Sequence, residues 1–344
     1  MDPRDLADDA LELLVAPSFS RIGYDLRRRL YRWDEDGHRS LAGRTVLVTG
    51  PTSGLGREAV SAFAAMGARI LLVGRDAGRL ERVRTELVAW TGHQGIATYR
   101  ADMSSLASVR EATDAILAAE PRIDVIVDNA GALFPTRTLT DEGFERTLAT
   151  MVLGPFVLTS RLLPLLTARP GGRLVAVTSG GLYAARLHLD DLSFAEGAYS
   201  GTIAYARAKR AQVTLMREWA RRLGPSGVVA NAMHPGWADT PGLVGSLPGF
   251  ARLVGRYLRT PTEGADTIVW LASAEEAGRV TGKLFLDRRP RPFDRVPMTR
   301  LSPDTRRALW DRVEAMTGER PFGGGNSDPA TADDARARAT SATI

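Results

Sequence analysis

From residue 44 to residue 288, short apolar runs alternate with amphipathic stretches. The runs Arg44–Val48, Arg69–Val73, Gly95–Ala101, Val125–Asn129, Leu174–Thr178, Val228–Met233 and Lys283–Leu286 are rich in Val, Ile and Leu. That is the composition of strands buried on both faces. Between them, apolar residues recur at helical spacing near 55–66, 76–91, 105–119, 140–168, 201–223 and 262–273. The alternation predicts an α/β fold, a doubly wound parallel sheet of seven strands with helices on both faces. Ligands of such sheets bind at the carboxyl ends of the strands, so motifs at those ends carry the most weight.

The flanks read differently. Leu6, Leu11, Leu13 and Leu14 suggest a short helix, and Phe19, Ile22, Leu26, Leu30 and Tyr31 recur at helical spacing beside Arg21, Arg27, Arg28, Arg29 and Arg32. A basic amphipathic helix of this kind either lies on an anionic membrane surface or packs on the main domain, and packing is the preferred reading. After residue 288, Arg288-Arg289-Pro290-Arg291-Pro292 reads as a basic, Pro-broken linker. Ser302-Pro303 then opens a helix carrying Leu309, Trp310, Val313 and Met316 and ending near Gly318. Residues 321–344 hold almost nothing to bury and read as a disordered tail. The organisation expected is a helical extension over 1–40, one sheet domain over 41–288, a helical extension over 289–320 and the tail.

Composition narrows the chemistry. The 344 residues carry a net charge of +5, and the arginines are scattered, which argues against nucleic acid as the partner. The absence of cysteine excludes disulfides, thiolate metal sites and cysteine nucleophiles. None of the four histidines pairs at metal-ligand spacing, so no metal is expected. The sequence has no secretory signal peptide and no apolar run long enough to span a bilayer, which makes a cytoplasmic location the expectation.

Thr49-Gly50-Pro51-Thr52-Ser53-Gly54-Leu55-Gly56 lies between the first strand and the first helix of the sheet domain. Glycines allow a sharp turn and close approach of the backbone to a ligand, and a helix N-terminus offers free N–H groups to phosphates. Tyr205 and Lys209 are four apart on a helical stretch and so share a face. An ammonium beside a phenol favours the phenolate, which makes Tyr205 a proton donor or acceptor for an alcohol or carbonyl. Ser179 follows the strand Leu174–Thr178, Asp128-Asn129-Ala130-Gly131 ends the strand before it, and His234-Pro235-Gly236 ends the strand after it.

In order and spacing, T-G-x-x-x-G-x-G at 49–56, N-A-G at 129–131, Ser179, Y-x-x-x-K at 205–209 and P-G at 235–236 resemble the short-chain dehydrogenases/reductases. The resemblance spans about residues 41–288. A closer one, to the branch called dehydrogenase/reductase family member 12, is carried by Met233–Gly242, Thr178–Gly181, Glu263–Thr267 and Phe285–Arg288. It implies a Rossmann-like fold, a nicotinamide cofactor and hydride exchange between an alcohol and a carbonyl. In it Ser179 would orient the substrate oxygen, Tyr205 would be the acid/base, and Lys209 would lower the Tyr205 pKa and bind the nicotinamide ribose. Cofactor contacts would come from Gly50, Thr52, Ser53, Gly54, Leu55, Gly56, Asn129, Ala130, Gly131, Pro235 and Gly236. Asp102 would bond the adenine amine, with Met103 beside it, and Thr240 would reach the carboxamide or phosphates. The family often dimerises through the helix carrying Tyr205, a surface the terminal extensions could cover.

One departure stands out. Many members place on the helix before the Ser-bearing strand an Asn that relays protons through the lysine, and the matching residue here is Met151. A thioether cannot donate a hydrogen bond. Thr150 substitutes, the relay runs differently, or turnover is slow.

Members using NAD end the second strand with an acidic residue. Here Gly74 stands in that place and Arg75 follows, so NADP(H) is expected over NAD(H). Leu182, Tyr183, Met233, His234, Trp237 and the loop from Leu243 to Phe250 would line a mostly apolar pocket for a lipophilic substrate. The competing reading is an NADP(H)-binding protein without turnover, its occupancy controlling a partner or membrane contact.

Overall fold

Eight strands form one sheet in the order β3-β2-β1-β4-β5-β6-β7-β8. They are β1 Thr45–Thr49, β2 Arg69–Gly74, β3 Ile96–Arg100, β4 Val125–Asp128, β5 Arg173–Val177, β6 Val229–Met233, β7 Leu284–Leu286 and β8 Arg289–Arg291. The first seven pair in parallel; β8 returns antiparallel beside β7. The computed structural model describes residues 2–33, 40–246 and 248–323. Every residue of β1 and β4 is buried, as apolar runs covered on both faces require. Strand order reverses between β1 and β4, which opens a crevice at their carboxyl ends.

Thirteen α-helical segments cover the sheet and its ends, among the described residues. The N-terminal lead forms α1 Pro3–Glu12, α2 Val15–Phe19 and α3 Arg21–Leu30. On one face, α4 Gly54–Ala65, α5 Ala77–Thr91 and α12 Pro261–Ser273 bury Val60, Phe63, Leu80, Leu87 and Ile268. On the other, α6 Leu106–Ala119, the continuous helix Arg146–Leu166, α9 Gly201–Leu223 and α13 Pro303–Thr317 bury Ile116, Phe156, Trp219 and Trp310. The helix Arg146–Leu166 is α7 Arg146–Leu148, a π turn over Ala149–Leu153, and α8 Gly154–Leu166. Two short helices, α10 Pro241–Ser246 and α11 Pro248–Val254, lie after β6.

Four expectations need correction. The helix expected over 140–168 starts at Arg146, because Glu145 turns its carboxylate onto the N–H groups of Thr147 and Leu148, both at 2.8 Å. By length and composition this helix could cross a bilayer, where the sequence reading found no such run. Most of it is buried inside the protein. The segment read as a basic linker is instead a hairpin. Asp287 and Arg288 take left-handed backbones (φ 54° and 58°) and turn β7 into β8, whose edge position tolerates Pro290.

The fourth correction concerns the N-terminal lead. It packs on the sheet domain, but of the stripe the periodicity marks only Phe19 is fully buried. Ile22 and Leu26 are 51% and 39% exposed, whereas Tyr24 and Arg27, outside the stripe, are buried. Arg27 is fully buried against Asp8 and Asp287, both at 2.6 Å, and Glu12 at 2.7 Å. At the other end, α13 begins with the Ser302 hydroxyl accepting from Thr305 N (3.0 Å) and stops at left-handed Gly318. Phe322 packs near Trp219 and Trp310. The rest of the tail, 324–344, lies outside the described residues.

Candidate active site

The Gly-rich turn sits at the reversal of strand order and is pinned there by Asn129. The carboxamide Nδ2 of Asn129 donates to the carbonyls of Thr49 (2.9 Å) and Gly50 (3.1 Å). The Thr49 hydroxyl in turn accepts from the backbone N–H of Asn129 and Ala130, both at 3.0 Å. Gly50 and Gly54 are left-handed, with φ 66° and 54°. A Cβ on Gly56 would lie 2.3 Å from the Gly50 carbonyl and 2.4 Å from Asn129 Nδ2, so only glycine lets α4 start there. Ser53, at the N-cap, makes no side-chain bond to the helix, which leaves the first-turn N–H groups of α4 to an anion. Thr52 and Leu55 are half-buried beside it.

Other elements converge on this turn. The Thr240 side chain packs against Gly54, 3.4 Å from where a Cβ would stand. Arg75 is exposed just past β2. Asp102 follows β3, its Oδ1 accepting from Ser104 N (2.9 Å) and Oγ (2.7 Å). Burial pushes the Asp102 carboxyl up, but Ser104 and the charges of Arg75 and Arg146 leave it below its ordinary value. The Met103 side chain is part of the core, so only its backbone remains for a ligand. A glycine cradle, an open helix N-terminus, a carboxylate and an exposed arginine together fit a dinucleotide.

At the neighbouring strand ends, β5 delivers Ser179 and α9 delivers Tyr205 and Lys209. The Ser179 hydroxyl accepts from Gly181 N at 3.3 Å and lies on the Tyr205 side of the strand end, close enough to oppose the rise of the phenol's pKa. Burial pushes the Tyr205 phenol up to about 12, and the Ser179 hydroxyl opposes it. The i, i+4 spacing predicts that Lys209 brings this phenol toward neutrality. Instead the Lys209 ammonium stands 5.7 Å from the Tyr205 ring centroid and donates to Val177 O (2.7 Å) and Gln212 Oε1 (3.0 Å). Burial pulls the ammonium down to about 7, opposed by Asp128. Burial in turn pushes the Asp128 carboxyl up to about 7, opposed by the Thr159 bond and Lys209.

Sequence reasoning did not single out Gln212, although its position one turn after Lys209 is the signal that could have done so. Met151 does stand beside Lys209, on the π turn, and such bulges recur at functional sites. Thr150 does not replace the missing amide, because its hydroxyl donates to its own helix at Arg146 O (2.7 Å).

The expected substrate pocket is closed on one side. Leu182, Tyr183, Met233 and His234 are buried, and the Phe19 ring from the N-terminal lead fills the space among them. Its centroid lies 4.7 Å from His234, 6.1 Å from Trp237 and 6.5 Å from Tyr183. A Cβ on Gly180, next to Ser179, would come within 2.5 Å of Phe19. Neither ring nitrogen of His234 has a hydrogen-bond partner among the described residues.

A family model described as short chain dehydrogenase matches residues 44–246. The chain is 36% identical over 285 residues to dehydrogenase/reductase SDR family member 12 of Bos taurus, covering 83% of this chain and 88% of that one. It is 34% identical over 312 residues to retinol dehydrogenase 14 of Homo sapiens, covering 85% and 90%. Among solved structures, a short chain dehydrogenase from Shigella flexneri 2a str. 301 complexed with NADP superposes with a TM-score of 0.61 at 25% identity. That match covers 74% of this chain and all of the other.

Proposed function

The chain belongs to the short-chain dehydrogenase/reductase family, NAD(P)-dependent oxidoreductases acting on CH–OH groups, and on that premise we propose that it interconverts a lipophilic alcohol and its carbonyl using NADP(H). The observation that carries this reading is that Ser179, Tyr205 and Lys209 meet at the carboxyl edge of the sheet, beside the Gly-rich turn and with Gly74 and Arg75 in place of an acid at the end of β2. When bound, the cofactor supplies or accepts the hydride at the reacting carbon. Tyr205 exchanges the proton with the substrate oxygen, and the Ser179 hydroxyl fixes that oxygen. Lys209 holds the ribose hydroxyls, the turn at 50–56 and Thr240 take the phosphates, and Asp102 takes the adenine amine. Arg75 pairs with the 2′-phosphate. The similarity to a retinol dehydrogenase supports an apolar substrate of small to medium size.

A second reading, cofactor binding without turnover, draws on the Phe19 ring packed among the residues expected to line the substrate pocket. The test is transfer of deuterium from each C4 position of labelled NADPH to a panel of lipophilic aldehydes and ketones. Label in an alcohol product supports the enzyme. Tight NADPH binding with no transfer to any substrate supports the second reading.

A further inference from the structure

The loop carrying Pro235, Gly236 and Thr240 is held from outside as well as from β6. The Trp237 N–H donates to the carbonyl of Phe19 at 2.7 Å. On its other side, Arg259 N donates to Trp237 O and Asp239 N to Arg259 O, both at 2.8 Å. Residues 237–239 are thus stitched between the N-terminal lead and Arg259.

The Arg259 side chain, 1% exposed, ties the same pieces together. Nε donates to Ser20 O (3.2 Å), Nη1 to Pro235 O (3.1 Å), and Nη2 to Ser18 O (2.9 Å) and the Asp287 carboxylate (2.9 Å). Asp287 also receives Arg27 Nη1 (2.6 Å), and Arg27 binds Ser18 O (3.0 Å) as well. One buried carboxylate therefore orients two arginines, one from the lead and one from beside the loop. Gly236 is left-handed (φ 69°), and a Cβ there would lie 2.5 Å from Phe19 O and 2.6 Å from the Arg259 guanidinium. The loop and the lead touch with no space between them. Ser18, Phe19, Ser20, Arg27, Arg259 and Asp287 all lie outside residues 44–246, the span of the family match.

We propose that the N-terminal lead is the outer half of the cofactor loop, with Phe19, Arg27 and Arg259 as positioning residues, so that docking of the lead and binding of NADP(H) are coupled. The inference rests on the assignment of Pro235, Gly236 and Thr240 to the cofactor under the proposed function. The loop's main chain has its shape only while Phe19 O and Arg259 hold it from both sides. Undocking the lead would strip the Trp237 N–H of its acceptor and leave Asp287 and Arg259 without Arg27 and Ser18 in a buried setting, which favours rearrangement of the whole loop. Coupling is reciprocal, so whatever affinity the lead gives the cofactor, the cofactor returns as protection of the lead.

The test uses the full chain. NADPH affinity is measured by calorimetry for wild type, Phe19→Ala and Arg27→Met, with Leu87→Ala, buried between α5 and the sheet and away from the lead, as a control of comparable instability. Amide hydrogen exchange over residues 18–30 is followed with and without NADPH. Both lead variants should bind NADPH roughly tenfold more weakly or worse, within the usual range of coupling between sites. Leu87→Ala should melt earlier yet bind as wild type, and NADPH should slow exchange across the lead of wild type but not of Phe19→Ala. If Arg27→Met does not fold, Phe19→Ala, which removes no charge, carries the test. Wild-type affinity in Phe19→Ala, or unaltered exchange in the lead when NADPH binds, overturns this inference alone. A wild-type chain that binds neither NADPH nor NADH overturns the functional reading together with it.

Discussion

The Met151 sulfur and the Lys209 ammonium stand against the same glycine: a Cβ on Gly131 would lie 3.3 Å from one and 3.5 Å from the other. A thioether sulfur is only a weak acceptor for an ammonium, which is fixed by donating to Val177 O and Gln212 Oε1 instead. Gln212→Leu would remove the one side-chain acceptor while keeping the volume. A hydrogen bond to a charged group is worth about 1.5–3 kcal/mol. The expected result is a fall in kcat of roughly ten- to a hundredfold with little change in KM for the carbonyl. Met151→Asn in the same chain should recover part of it by supplying an amide at the neighbouring place. Steady-state kinetics of the two single variants and the double variant decide it, and an unchanged kcat in Gln212→Leu would show that this acceptor is dispensable.

Tyr205→Phe keeps the ring packed against the core and removes the hydroxyl beside Ser179. Turnover should drop by about two to four orders of magnitude, the scale of general acid–base groups. The NADPH dissociation constant should barely move, since the phenol is a proton carrier and not the main anchor of the cofactor. Single-turnover kinetics with calorimetry on the same preparation separate the two effects. Turnover near wild type would move the proton transfer to another group.

How much of this was legible in the sequence depends on the range of the interactions. The seven parallel strands were readable to within about a residue, because most are apolar runs buried on both faces, which leaves little other composition available; β3, at the sheet edge, is the least buried of them. The eighth strand was not, because Arg289-Pro290-Arg291 carries no strand signal of its own. Its arginines are taken by acids far away in sequence, Arg291 by Asp8 at 2.9 Å among them. The same blindness explains the lead. Periodicity marked Phe19, Ile22 and Leu26 as its buried face; Phe19 is buried, but a fully buried Arg27 with three acidic partners turns Ile22 and Leu26 outward, and an ion pair across 260 positions leaves no local pattern. The motif residues Gly50–Gly56, Ser179, Tyr205 and Lys209 meet at strand ends as the order of strands and helices dictates. Phe19 could not be foreseen beside them, since nothing in its neighbourhood names His234 or Tyr183 as its partners.

His234 supplies a pH test of this packing. It is 0% exposed beneath Phe19, and burial pulls its pKa down to about 3, with Arg259 adding to the fall and Asp287 opposing it. An unfolded histidine titrates near 6.5, so acidification protonates the unfolded chain first. The native state therefore keeps its full stability above about pH 6.5 and loses it as pH falls from there toward 3, by up to about 1.4 kcal/mol per unit. His234→Phe replaces the ring with one that cannot titrate. Denaturant unfolding at pH 7, 6 and 5 should show the stability gap between wild type and variant moving in favour of the variant by roughly that slope below pH 6. A gap that stays constant across the three pH values would mean that His234 takes up a proton in the folded protein as readily as in the unfolded one.

Cofactor preference turns on the end of β2. Gly74 leaves no carboxylate to accept from the ribose hydroxyls of NAD or to repel a 2′-phosphate, and the exposed Arg75 that follows offers planar donors matched to phosphate. Arg75 also sits near Asp102, whose carboxylate feels its charge, which keeps the guanidinium on the adenosine side of the proposed site. A charge-assisted bond of this kind contributes about 1.5–3 kcal/mol, or roughly ten- to a hundredfold in affinity. NADPH should therefore bind at least about tenfold more tightly than NADH, and Arg75→Ala should erase most of that gap. Gly74→Asp restores both the acceptor and the repulsion. A Cβ at Gly74 would come 3.2 Å from the tip of Leu80, a flexible end that can give, so this variant should fold and shift preference toward NADH. Calorimetric titration of both cofactors against the three proteins measures all of this. Equal affinities in wild type, or an undiminished preference in Arg75→Ala, would remove this arginine from the site.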